Sequence, residues 1–215
     1  MCGRYGRRGD KQKIAEAFHV KGGLEELDFL EDLDCAPGSI QPVIWTNEQG
    51  ERALSLMRWG FKLPDRLLFN ARSEGVAKAN FWKEKFATNR CIIPASSFFE
   101  WQDTKNTPKR KYEITVLGRE LFGIAGVWAE WKNPNTEKWE KTFATFTSEP
   151  NGIMEPIHDR QPVILAPADF KEWLSRSERP PVHLLRILPD EEIAMTLLNA
   201  DKPKADKPAM AGLFD

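Results

Sequence analysis

The stretch with the most chemistry in it opens the chain, Met1-Cys2-Gly3-Arg4. Methionine is commonly trimmed before a small second residue, and trimming makes Cys2 an N-terminal cysteine. An internal cysteine offers only a thiol, whereas an N-terminal one offers a thiol and a free amine on adjacent carbons. With an α-amino pKa of ~7.7–8.0 and a thiol pKa of ~8.5, both groups are partly nucleophilic near neutral pH. Such a 1,2-aminothiol captures aldehydes: the amine condenses to an imine, and the sulfur closes a five-membered thiazolidine. Position alone does not separate this reading from a cysteine that merely follows a start codon.

Other positions can move or hold protons. Glu100 lies among aromatics in Phe98-Phe99-Glu100-Trp101, and burial beside rings raises a carboxyl pKa unless a cation partners it. His158 stands next to Asp159, a carboxylate able to orient an imidazole that titrates near neutrality. Asn70, Arg72 and Glu74 alternate directly after the apolar run Leu67-Leu68-Phe69, so an extended segment presents them on one side. The plainer readings are a strand-edge glutamate, a structural histidine and a helix cap at Ser73. Trp59-Gly60-Phe61 reads either as a platform for a flat partner or as core.

Elements must bring these residues together. Periodicity predicts helices over 11–18, 77–86, 168–174 and 190–198, and strands over 42–46, 52–59, 90–101, 112–117, 121–131, 142–147 and 161–165. A length of 215 residues suits one domain, expected over 2–200, followed by an Ala/Lys/Pro-rich flexible tail over 201–215. The net charge of −1 does not mark a nucleic-acid binder, so any such contact needs a local basic face. The acidic segment 25–34 is expected to face away from it. Three irregularly spaced cysteines argue against a disulfide framework and for a reducing compartment. No zinc spacing joins them to the histidines, so neither a metal nor another cofactor is expected. No apolar run reaches membrane-spanning length, which predicts a soluble, cytoplasmic protein without a membrane partner.

Cys2-Gly3-Arg4, Ala36-Pro37-Gly38, Trp59-Gly60, Asn70-Ala71-Arg72-Ser73-Glu74, Phe99-Glu100-Trp101 and Ile157-His158-Asp159-Arg160-Gln161-Pro162-Val163-Ile164-Leu165 occur in that order. Together they resemble the SOS-response-associated peptidase (SRAP) family, whose members shield abasic sites in single-stranded DNA. The resemblance implies an α+β fold with a β-barrel-like core of mostly antiparallel strands, flanked by short helices around a basic groove. It implies that Cys2, after loss of Met1, links covalently to the aldehyde of a ring-opened abasic deoxyribose, on a monomer that joins the nucleoid when bound to DNA. Asn70, Glu100 and His158 carry over as catalytic residues, Arg4, Arg72 and Arg160 as phosphate contacts, and Trp59 and Phe61 as a base-stacking loop. Leu213-Phe214 at the end of the tail reads as a docking segment for a replication protein. Two alternatives share these features: an N-terminal-nucleophile cysteine peptidase or amidase, its peptidase activity extending at least to self-processing, and a noncatalytic single-strand binder.

Overall fold

The computed structural model describes residues 2–25, 27–104, 109–176 and 179–199. Its elements are, in chain order, β1 (Tyr5–Arg7), α1 (Lys11–Phe18), β2 (Asp32–Cys35), β3 (Ile40–Thr46), β4 (Arg52–Trp59), β5 (Phe61–Lys62), β6 (Leu67–Leu68), β7 (Asn70–Arg72), α2 (Lys83–Thr88), β8 (Arg90–Ala95), β9 (Ser97–Gln102), β10 (Arg110–Val116), β11 (Phe122–Lys132), β12 (Trp139–Ser148), β13 (Gln161–Pro162), β14 (Ile164–Leu165), α3 (Phe170–Leu174) and β15 (Ile193–Leu197). The expected tail over 201–215, with its Leu213-Phe214 segment, lies outside the described residues.

Five strands close into a ring. β3 pairs with β4 and β8, β8 with β11, β11 with β12, and β12 returns to β4. Every pairing in the ring is antiparallel except the last, where Thr142 and Phe143 run alongside Arg58 and Trp59. The architecture is thus α+β with a closed five-stranded barrel. Side chains of a strand alternate between its two faces. One face carries Ile44, Leu54, Ile92, Val127 and Phe146, and it is covered by Phe18 of α1, Phe86 of α2 and Trp173 of α3. Helices can lie only outside a closed ring, so the opposite set, Val43, Met57, Cys91, Ile93, Ile124 and Phe143, fills the lumen. Gly126 marks how full it is: a Cβ there would stand 2.5 Å from Ile93 Cδ1 and 2.7 Å from Ala144 O.

A second sheet, ordered β15-β10-β9-β1-β2, adds Tyr5, Phe98, Ile114 and Ile193 to the lumen core. In it β1 lies between β9 and β2, with Tyr5 opposite both Phe98 and Cys35. The start of the chain is therefore held on both edges. Helix α1 follows at once, capped by the Asp10 carboxylate accepting from Lys13 N–H at 2.9 Å and stopped by His19 in the left-handed region at φ 53°.

Three expectations are corrected. Residues 77–86 do not form one helix: a run of turns leads into α2, which is only Lys83–Thr88. Ser73 caps nothing there; its N–H extends the β7–β12 ladder by donating to Thr147 O at 2.9 Å. The expected helix over 190–198 is one short turn and then β15, because the edge of β10 offers it a full ladder from Val116↔Ile193 to Tyr112↔Leu197. The acidic segment does not all turn away, since its end forms β2 beside β1 and Asp34 binds Arg4 at 2.7 Å. Among the described residues, no helix is long and apolar enough to cross a membrane.

Candidate active site

Four stretches distant in sequence meet around Cys2, which is 6 % exposed. The parallel register of β7 on β12 sets Asn70 opposite Thr145. Thr145 Oγ1 donates to Asn70 Oδ1 at 2.5 Å, and Asn70 Nδ2 donates to Cys2 O at 2.9 Å. An amide has one donor end and one acceptor end, so Thr145 decides which end faces Cys2. Sequence reasoning missed Thr145. Its signal was threonine at 145 and again at 147, polar residues sharing one face of a stretch that also holds Phe143, Ala144 and Phe146.

The thiol is held from another side. Cys2 Sγ donates to Arg160 O at 3.6 Å, and the Arg160 N–H donates to His158 Nδ1 at 3.0 Å. Nδ1 also lies 3.1 Å from Arg160 O, so the Arg160 main chain presents it with both a donor and an acceptor, while Nε2 lies 3.7 Å from Glu100 Oε2. The Asp159 carboxylate lies 3.2 Å from Nδ1. Glu100 reaches the site because it shares the buried face of β9 with Phe98, and it is 2 % exposed. Its Oε1 has no hydrogen-bond partner among the described residues.

Burial pushes the Glu100 carboxyl above the usual carboxylate range, although the Cys2 thiol and His158 partly offset it. Burial, and after it the Glu100 charge, pushes the Cys2 thiol well above its ordinary value. The arrangement is a protonated thiol beside a carboxyl poised to exchange a proton, with an imidazole nitrogen 3.7 Å from that carboxyl.

Space is scarce inside. A slot lined by Cys2, Tyr5, Trp59, Phe98 and Thr145 among others has a volume of about 10 Å³, room for about one water. A larger reactant must meet Cys2 from the solvent side. Wider depressions of about 460 Å³ near Arg8 and Glu113, and about 200 Å³ near Arg119 and Arg186, contain no cysteine or histidine.

The outer residues expected to hold DNA divide. Arg72 is exposed, and Arg4 is partly exposed in its pair with Asp34. The stacking loop is corrected: Trp59 is 2 % and Phe61 0 % exposed, so neither ring offers a face to a base. Trp59 packs edge-on to Tyr5 with centroids 5.1 Å apart and donates from Nε1 to Phe69 O at 3.0 Å. Phe61 is enclosed by Phe81, Trp82 and Trp131, with centroids 5.5–5.6 Å away. Gly60, at φ 111° and against Leu67, makes the turn that buries both. Arg160 is corrected as well, because its guanidinium is turned inward onto Glu74 and Thr147.

The model of the family described as SOS response associated peptidase (SRAP) matches residues 1–201 of the chain. The chain belongs to the SRAP family. Among its relatives, the "Abasic site processing protein YoqW" of Bacillus subtilis is 32 % identical over 196 residues, covering 87 % of this chain and 86 % of that one. The "Abasic site processing protein HMCES" of Xenopus tropicalis is 28 % identical over 170 residues, covering 66 % of this chain and 50 % of its own length. An X-ray structure of a protein from Bacteroides thetaiotaomicron superimposes with a TM-score of 0.78 at 21 % identity, covering 92 % of both chains. In this SRAP chain the site is thus built at the edge of the barrel, with Asn70 and Thr145 on β7 and β12, Glu100 on β9, and Cys2 and His158 on the connecting segments.

Proposed function

We propose that this SRAP protein processes abasic sites by capturing the sugar aldehyde of single-stranded DNA on Cys2. The observation that carries the reading is the convergence of Asn70, Glu100 and His158 on one residue near the N-terminus, since each supplies a need of aminothiol capture. An abasic sugar is mostly a closed hemiacetal, and His158, as imidazolium, is the general acid suited to protonating its ring oxygen. Once the aldehyde is free, the Cys2 amine adds to its carbon and water leaves, giving an iminium. The thiol then adds to that carbon, its proton passing to Glu100, and the product is a thiazolidine with net loss of one water. Closing the ring also consumes the iminium that would otherwise promote β-elimination and break the strand.

Asn70 acts on Cys2 itself. By gripping the Cys2 carbonyl it fixes the backbone from which the amine projects. Arg72 and Arg4 are the outer cations suited to phosphates on either side of the lesion, and such contacts make affinity salt-dependent and indifferent to sequence.

A cysteine peptidase would need its thiol activated by an adjacent base, and Glu100 stands beside Cys2 in either reading, so the order of attack is what separates the two. In aldehyde capture the amine attacks first, and a protonated thiol is tolerated until ring closure.

The test incubates chain lacking Met1 with an abasic single-stranded oligonucleotide. A denaturation-resistant adduct with the summed mass less one water is expected, absent in Cys2→Ala and in chain that retains Met1. Binding without an adduct would leave a noncatalytic binder, and turnover of a peptide would favour the hydrolase.

A further inference from the structure

We propose that Glu74 is a positioning residue, which locks the Arg160 guanidinium so that the Arg160 main chain holds the Cys2 thiol and His158 Nδ1 in one frame. The inference rests on the reading that Cys2, His158 and Glu100 are the reacting groups.

Arg160 is peculiar in touching both ends of the chemistry through its backbone. Its carbonyl accepts from Cys2 Sγ at 3.6 Å, and its N–H donates to His158 Nδ1 at 3.0 Å. Both contacts come from a connecting segment of turns, which by itself fixes neither. The side chain supplies what the segment lacks. Nη1 and Nη2 donate to the two Glu74 carboxylate oxygens at 2.9 Å each, and Nη2 also donates to Thr147 O at 2.5 Å. A fork of parallel bonds fixes direction as well as distance. Thr147 lies on β12, and Glu74 follows β7 by two residues. The guanidinium therefore ties the segment bearing His158 to the strand pair bearing Asn70 and Thr145, and the two arms of the site share one anchor.

Glu74 is the carboxylate that partners this cation, and a buried guanidinium without a counter-charge is costly. An exposed ion pair contributes little, but here the Arg160 side chain is 11 % exposed while Glu74 is 45 %. The pair is thus asymmetric: its inner half belongs to the site and its outer half can be changed from the surface. Burial pushes the Glu74 carboxyl up, yet the bonds from Arg160 and from backbone N–H groups outweigh it and hold the carboxyl below the ordinary range.

The experiment compares full-length chain lacking Met1 as wild type, Glu74→Gln, Glu74→Asp and Arg160→Lys. Two quantities are read: the maximal rate and half-saturating concentration of adduct formation with abasic single-stranded DNA, and the ¹⁵N shifts of the His158 ring at a pH where it is neutral. Wild type should show one ordered tautomer, with the two ring nitrogens well separated in shift. In Glu74→Gln the two ring nitrogens should move toward each other as the tautomers mix, and the maximal rate should fall about tenfold with half-saturation unchanged. Glu74→Asp, which keeps the charge, should recover part of both. An unmoved tautomer and maximal rate in Glu74→Gln would overturn the proposal, as would a loss confined to half-saturation, which would make the pair a DNA contact. Should Glu74→Gln fold poorly, Arg160→Lys gives the same reading, since it keeps the cation and loses the fork. If wild type forms no adduct, the capture reading fails, while the ring shifts still report whether Glu74 orders His158.

Discussion

Cys2 and Cys91 are both free thiols shut away from solvent, at 6 % and 0 % exposure. Burial raises the pKa of each. Around Cys91 there is little else: it faces the lumen beside Ile93 and Gly126, and its carbonyl accepts from Trp173 Nε1 at 2.8 Å. Around Cys2 stand a carboxyl, an amide that holds its carbonyl, and a backbone carbonyl for its S–H. The two thiols differ in their neighbours rather than in their depth. One thiol is packing, and the other is packing with somewhere to send a proton.

That contrast can be broken most directly by exchange. Cys2→Ser should yield no stable adduct with abasic single-stranded DNA, because a hydroxyl is a poor partner for ring closure, whereas Cys91→Ala should leave the adduct rate at the wild-type level. Equal losses in the two variants, in gels run under denaturing conditions, would erase the distinction.

Glu100→Gln sharpens it next. The adduct rate should fall by about 10²–10⁴ with the loss of the proton acceptor. Stability should move the other way. A carboxyl whose pKa is raised by folding contributes stability that is complete below its unfolded value of about 4.3 and is lost as pH rises through the folded value. Burial raises Glu100 in this way, so the glutamine variant should melt at a higher temperature than wild type at about pH 8 and show no such gain at about pH 3. A variant less stable than wild type at the higher pH would contradict the assignment.

The smallest effect on chemistry belongs to the lumen. Gly126→Ala places a methyl against Ile93 and the Ala144 carbonyl and should lower stability by about 1–3 kcal/mol through overpacking, seen as a lower urea midpoint. The adduct rate of the folded variant should not change.

Much of the frame was readable from local pattern. Strand β4 begins and ends where alternation in residues 52–59 places it, and α1 spans the helical repeat of 11–18. These are decisions a segment makes by itself. Trp59 was legible as either platform or core, and closure of the barrel by β12 against β4 settles it as core. β15 was misread for a related reason, since only the free edge of β10 makes a strand of it. Asn70, Glu100 and His158 were legible as polar residues set against apolar runs. Thr145, and the inward turn of Arg160 onto Glu74, depend on the register between β7 and β12, which no neighbouring residue announces.

The thiol of Cys2 and the carbonyl that accepts its hydrogen bond are 158 residues apart in the chain. A ribosome therefore releases Cys2 well before the segment that shelters it. Until residue 160 has emerged and the barrel has closed, Cys2 is an ordinary thiol on an unfolded chain, open to whatever aldehyde or alkylating agent the cell contains. Chains truncated before residue 158 should accordingly alkylate at Cys2 at the rate of a free cysteine peptide.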